Sequence, residues 1–155
     1  MSLRKTLDNL LERFLVLLLA ILVIDVLWQV FSRYILNEPS SFTDELAGFL
    51  LIWVGILGTA YVAGKNEHLA IDLLLNKISG AKKKKLEVFI QISILLFALT
   101  VLVVGGLWLV YTRFALDVKS AALQIPLGYV YIVLPLSGIC ICIYSISNIF
   151  STLKS

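Results

Sequence analysis

The chain has 155 residues, of which 60% are hydrophobic and 15% charged. A soluble domain carries roughly 45–50% apolar residues, so a soluble core cannot hide this excess and a lipid-facing protein is implied. The formal charge of +3 is too small to point to nucleic acid and matters only through where the cations sit.

At the N-terminus, Arg4, Lys5 and Arg13 precede a long apolar stretch in the manner of a signal peptide. No small-residue cleavage site follows, and the apolar run exceeds the usual 7–15 residues. The segment therefore reads as an uncleaved first membrane helix. A bilayer-crossing helix needs about 20 mostly apolar residues, and four segments qualify, at 14–36, 44–64, 86–112 and 125–150. The fold expected is an all-α integral membrane protein, a single membrane domain over residues 1–155 with four transmembrane helices.

The basic residues divide unevenly among the connections. Arg4, Lys5 and Arg13 precede span one; Lys65, Lys77 and the run Lys82, Lys83, Lys84 and Lys85 occupy the second loop; Lys154 lies in the tail. Only Arg33, Arg113 and Lys119 lie in the first and third loops. The positive-inside rule then places both termini and the second loop in the cytoplasm. Cations at the start of the third helix oppose its dipole, so the lysine run reads as a topology determinant or an anionic-lipid contact.

Between spans two and three, Ile71, Leu74, Leu75 and Ile78 recur at helical spacing, while His68, Asp72, Asn76 and Ser79 line the other side. This amphipathic stretch, roughly 66–80, is too short to cross and is expected to lie in the interface, with Gly80 placed to end it.

Several polar residues interrupt the apolar spans. Asp25 stands near the middle of span one, where an acid is costly unless paired or shielded. Gln29, Ser32 and Arg33 follow on the same helical face. One reading makes Asp25 a proton or sodium relay; the other makes the stripe a hydrogen-bonded contact with a helix or subunit. The lack of a second ligand cluster favours contact. At the start of span two, Thr43 is a candidate cap, and Asp44 and Glu45 fall where the helix dipole favours anions. Arg33 is expected to pair with Glu45 across the loop Asn37-Glu38-Pro39. Gly55, Thr59 and Ala63, with Gly48 one heptad earlier, make a small-residue face suited to close helix approach. Trp53 lies on another side of that helix. In span four, Pro135 is expected to kink the helix.

Enzyme readings lack their parts. One histidine, His68, excludes bis-histidine haem ligation within one chain, as well as a His-rich metal site. Neither a Ser/His/Asp constellation nor a Gly-rich phosphate loop can be assembled. Cys140 and Cys142 match neither a redox motif nor a disulfide framework and read as small buried hydrophobes. A stand-alone small oligomeric proton-coupled transporter using Asp25 is the alternative reading, but repeated halves and broken helices are not evident.

The order Gln29-Val-Phe-Ser-Arg33-Tyr-Ile-Leu-Asn37-Glu-Pro39, then Ser41-Phe-Thr-Asp-Glu45-Leu-Ala, Trp53, Gly58, Glu67-His68 and Asp72 is specific in combination. With Leu123-Gln-Ile-Pro126, Tyr131 and Pro135-Leu-Ser-Gly138, it resembles the small, Q-type membrane subunit of tripartite ATP-independent periplasmic (TRAP) transporters over nearly the whole chain. Phe42 stands where that family usually carries a tryptophan, keeping an interfacial aromatic but not the indole donor.

The resemblance implies a division of labour. A periplasmic solute-binding protein captures a carboxylate solute of the sialic acid or C4-dicarboxylate type, and a large membrane subunit carries it inward on a sodium gradient. This chain is the scaffold in the bacterial inner membrane. Substrate and sodium sites then lie on the large subunit, and this chain needs no cofactor. His68 and Asp72, at i and i+4, are a candidate hydrogen-bonded pair.

Overall fold

The structure is a computed structural model that describes residues 2–65 and 81–154. Its regular elements are helical: α1 (Ser2–Tyr34), α2 (Ser41–Lys65), α3 (Ala81–Phe97), α4 (Gly106–Ala115), α5 (Leu127–Tyr131) and α6 (Val133–Lys154). α3 and α4 are joined without a break by a π-helical stretch, Ala98–Gly105. An isolated bridge pairs Lys119 with Pro126, and no strand occurs among the described residues. Four helical stretches, Arg4–Tyr34, Ser41–Lys65, Lys83–Ala115 and Leu127–Leu153, are long and apolar enough to cross a membrane.

Each of these stretches overlaps an expected span; the first ends at Tyr34 and the fourth begins at Leu127, each two residues inside the expected end, and the other ends run longer. α1 begins at Ser2, twelve residues before the apolar run, and its 33 residues extend about 50 Å at 1.5 Å per residue. That exceeds a hydrocarbon core of about 30 Å, so its first turns stand clear of the lipid tails. The expected interfacial helix at 66–80 lies outside the described residues.

α1 packs along α2, α2 against α6, and α6 against the third span. α1 and the third span are thus the flanks of the bundle. The α1 seam follows a four-three repeat: Leu11, Leu15, Leu18, Asp25 and Ser32 are buried, with Leu22 and Gln29 half-buried between them. The other side of α1, including Val16, Leu17, Ile24, Leu27 and Trp28, is exposed as a lipid-facing surface would be. Where α2, α6 and the third span meet, the side chains are small: Ala60 and Ala98 are fully buried, with Ala63 and Ile141 beside them. Ser137 locks α6 to α2 by donating to the Ile56 carbonyl, 3.0 Å away.

Pro135 bears on the hydrogen bonding of the fourth span. It has no N–H to offer the Tyr131 carbonyl, and the helical pattern is interrupted at Ile132, between α5 and α6. Close against this interruption lies the end of the π-helical stretch, where a Cβ added to Gly106 would stand 3.0 Å from Pro135 Cδ. Nothing in the local sequence marks the π-helical turns.

Candidate functional site

Three polar constellations divide the bundle by level: one at the end carrying both termini, one buried in the α1–α2 seam, and one at the opposite, loop end.

At the terminal end, Arg4 on α1 donates to Asn148 Oδ1 on α6 (3.0 Å) and to the Gly64 carbonyl at the close of α2. The Tyr144 hydroxyl of α6 donates to Asp8 Oδ1 at 2.6 Å. The Arg4 guanidinium lies 5.8 Å from the Tyr144 ring centre, a cation–π distance. Tyr144 is 1% exposed. Its ring is so near Gly64 that a Cβ there would come within 2.7 Å of it. The absent side chain is therefore what lets α6 reach α2. One turn inward, the Tyr61 hydroxyl donates to Glu12 Oε2 at 3.2 Å. None of these partners is singled out by the sequence beyond Arg4's place in the charge count. A tyrosine inside an apolar run carries no local sign of what its hydroxyl meets.

The lysine run has a local explanation that sequence reasoning misses. Lys84 Nζ donates to the Leu153 carbonyl at 3.3 Å, so a cation unfavourable to its own helix start serves the C-terminus of α6, where the dipole favours it. The antiparallel packing of α3 on α6 brings the two ends together. Lys83 and Lys84 are half-buried and Lys85 is exposed. The side chain of Lys82, together with His68 and Asp72, lies outside the described residues.

In the seam, Asp25 is 7% exposed and its Oδ2 has no hydrogen-bond partner. Ser32, 3% exposed, donates to the Gln29 carbonyl one turn back, at 3.0 Å. Asp25 and Ser32 are thus buried, and Gln29 half-buried, on the buried seam of α1, which packs along α2, and the bond that Ser32 makes stays within α1. Arg33 departs from that seam: it is exposed and reaches around to α2's first turn.

There the expected pairing is corrected. Arg33 Nη2 lies 3.5 Å from Asp44 Oδ1, not from Glu45. Successive helical residues diverge by about 100°, and Glu45 points instead at the loop between α4 and α5. Its carboxylate accepts three successive backbone N–H groups, from Ala121 (3.0 Å), Ala122 (2.8 Å) and Leu123 (2.7 Å). Consecutive amides converging on an anion form a nest, occupied here by the chain's own glutamate. Around it the loop closes on itself: Ser120 N–H donates to the Ile125 carbonyl at 2.9 Å, and Leu127 N–H to the Val118 carbonyl at 2.9 Å. Asp117 and Gln124 turn the chain with φ of 45° and 55°.

The helix cap is corrected as well. α2 starts at Ser41, and Ser40 is the cap, accepting from Thr43 N–H at 3.4 Å while Thr43 Oγ1 returns a bond to the Ser40 carbonyl at 3.0 Å. Thr43 is thus three positions inside the helix rather than at its cap.

On α2 the expected small-residue face is divided: Ala63 is buried within the chain, and the rest of the face turns away from it. Gly48, Gly55 and Thr59 are exposed, and a Cβ at Gly48 or Gly55 would meet nothing within 4 Å. Close approach inside the chain uses Ala60, Ala63 and Gly64 instead. Trp53 is half-buried and meets Phe14 edge-on, with ring centres 6.2 Å apart. The two line an apolar groove of about 310 Å³ together with Leu18, Phe49 and Tyr129.

Among the described residues nothing pairs a nucleophile with a base. They form a set of locks among helices, with an open stretch of small residues on α2 and an unmatched buried carboxyl at Asp25. Comparison with known proteins accords with that character. Residues 7–155 match the family described as tripartite ATP-independent periplasmic transporters, DctQ component. A putative TRAP transporter small permease protein of Haemophilus influenzae is 27% identical over 154 residues, covering 98% of this chain and 92% of that one. The sialic acid TRAP transporter small permease protein SiaQ of Vibrio cholerae is 26% identical over 152 residues, covering 98% and 86%. The isethionate TRAP transporter permease protein DctMQ of Oleidesulfovibrio alaskensis is 28% identical over 126 residues, covering 77% of this chain and 20% of that one. These relatives are transporter components, not enzymes. A four-span, multi-pass membrane protein matched by this family model along almost its entire length belongs to the DctQ family, the small permease component of TRAP transporters.

Proposed function

We propose that the chain is the static scaffold of a three-part uptake system in the bacterial inner membrane, with both termini cytoplasmic. It braces a large permease subunit that moves a carboxylate solute inward on a sodium gradient, after a periplasmic binding protein has delivered the solute. Sodium and solute sites are assigned to the large subunit. The solute class is of the sialic acid or C4-dicarboxylate type, the former in keeping with the name of the Vibrio cholerae relative.

The observation that carries this reading is the open face of α2. Gly48, Gly55 and Thr59 give a neighbouring membrane helix room to approach closely, as small residues do in lipid, while the other helices of this chain pack elsewhere. Support comes from the Oleidesulfovibrio alaskensis permease, in which the region similar to this chain is a fifth of a much longer protein. Small and large units are thereby expected to work side by side. The excess of cations at the terminal end supports the orientation.

Proteoliposomes test the proposal. Uptake of radiolabelled solute under an inward sodium gradient is expected only when the large subunit, the binding protein and this chain are all present. Undiminished uptake by the large subunit and binding protein alone would overturn the scaffold role.

The buried Asp25 carboxyl motivates the second reading, a self-contained proton-coupled transporter. In that case the chain alone catalyses proton-driven efflux and Asp25→Asn abolishes it. On the scaffold reading, the chain alone moves nothing and Asp25→Asn leaves assembled uptake largely intact.

A further inference from the structure

A cavity of about 430 Å³ opens at the terminal end, between the first turns of α1 and the last turns of α6, lined by Arg4, Lys5, Asp8, Ser147 and Ser151. It is far roomier than the roughly 30 Å³ that one water molecule takes in the liquid. Its charges are unequally committed. Arg4 is held by Asn148 and the Gly64 carbonyl, and Asp8 by the Tyr144 hydroxyl. Ser151 donates to the Asn148 carbonyl at 2.8 Å. Lys5 has no ion pair or hydrogen bond among the described residues. Arg4 and Asp8 offset each other, so the lining keeps one net positive charge, carried by the Lys5 ammonium in a cavity that Ser147 also lines.

We infer that this cavity binds a phosphate group, with Lys5 as its cationic donor and Ser147 as a neutral one. Its position suits the headgroup of an anionic phospholipid. The cavity lies where the apolar runs of α1 and α6 give way to polar residues, so an occupant's phosphate sits at interfacial depth whichever way the chain is oriented. An exposed apolar side chain lies inward of it on α6: Ile143, one turn before Ser147, is 37% exposed. An acyl chain would lie against it. A long basic side chain at this depth is suited to a lipid phosphate, because its stem stays in apolar surroundings while its ammonium reaches the headgroup level. Asp8 faces the same cavity, and its negative charge restricts the site to one phosphate rather than a multiply charged cluster.

The same phosphate chemistry is also presented by a soluble ion, so the experiment has two arms. Purified chain in mild detergent is titrated with dioleoylphosphatidylglycerol and examined by native mass spectrometry. In parallel, inorganic phosphate is followed by phosphorus NMR line broadening. The wild type is expected to hold one lipid adduct that survives collisional activation. Lys5→Ala is expected to weaken that adduct about tenfold, the loss of one charge-assisted hydrogen bond. Lys5→Arg should retain it. Lys119→Ala, which removes the same charge at the far end of the molecule, should not change it. Broadening of inorganic phosphate that depends on Lys5, without a lipid adduct, would keep the phosphate site and assign it to a soluble anion. Equal binding by wild type and Lys5→Ala in both arms, or an equal loss with Lys119→Ala, would overturn the inference. Lys5 is exposed, so circular dichroism is expected to show the variants folded as the wild type.

Discussion

The two ends of the bundle are fastened by different means. At the loop end, one carboxylate, Glu45, holds three main-chain amides of a connecting segment. At the terminal end, groups of three helices interlock: the side chains of Arg4 and Asp8 of α1 and of Tyr144 and Asn148 of α6, and the main-chain carbonyl of Gly64 of α2. The first lock shapes a loop; the second fixes helix positions. The proposed scaffold role needs both, since its helices would have to stay put and the loop between α4 and α5 would have to keep one shape. The locks are expected to fail differently when broken.

The largest effect is expected at the terminal lock. Gly64→Ala places a methyl within 2.7 Å of the Tyr144 ring, and because both partners are buried the helices must separate. Overpacking of this kind costs about 1–3 kcal/mol, to be read as a lowered thermal unfolding midpoint in detergent. Tyr144→Phe removes the bond to Asp8 and keeps the ring. Hydrogen bonds to charged groups are worth about 1.5–3 kcal/mol, and this one is expected near the lower end because Asp8 stays partly solvated. Combined with Asp8→Asn, the losses should be less than additive, as for residues sharing one interaction.

Glu45→Ala is expected to act locally. Amide hydrogen exchange should speed up at Ala121, Ala122 and Leu123 while the amides around Gly64 keep their protection. Uniform loss of protection would mean that the two ends form one cooperative unit. The smallest effect is expected for Arg33→Ala. Its pairing with Asp44 is long, at 3.5 Å, and both side chains are 48% exposed. Exposed pairs contribute roughly 0–1 kcal/mol, and moderate salt should erase the difference between variant and wild type.

These differences also explain which features can be read from sequence. The four spans are legible because apolar length is a local property of the chain. The α1 seam is legible in part, since Asp25, Gln29 and Ser32 recur at helical spacing and lie on it. Arg33 leaves that face because a long side chain at a helix end goes to the nearest opposite charge, and the start of α2 offers two, Asp44 in its first turn and Glu45 just after it. Spacing alone does not say which of Asp44 and Glu45 it meets. The partners of Glu45 are invisible in the sequence: they are backbone amides 76 to 78 residues away, and any residue type supplies an amide. Lys84 is hard to read for a related reason. Its own helix explains nothing about it, while the end of α6 does, and only packing brings the two together. The expected small-residue face of α2 is divided: Ala63 joins Ala60 and Gly64 in the chain's own close contacts, while Gly48, Gly55 and Thr59 stay open.

That open face is where the account is most exposed to test. The most direct measurement is affinity purification of the tagged chain from its native membranes in mild detergent, with mass spectrometry of what is retained, for wild type and for Gly55→Leu. The account predicts a large many-span membrane protein at near-equal stoichiometry with the wild type, and its loss with Gly55→Leu while the chain itself stays folded. Recovery of this chain alone, as a stable homo-oligomer, would contradict the scaffold account.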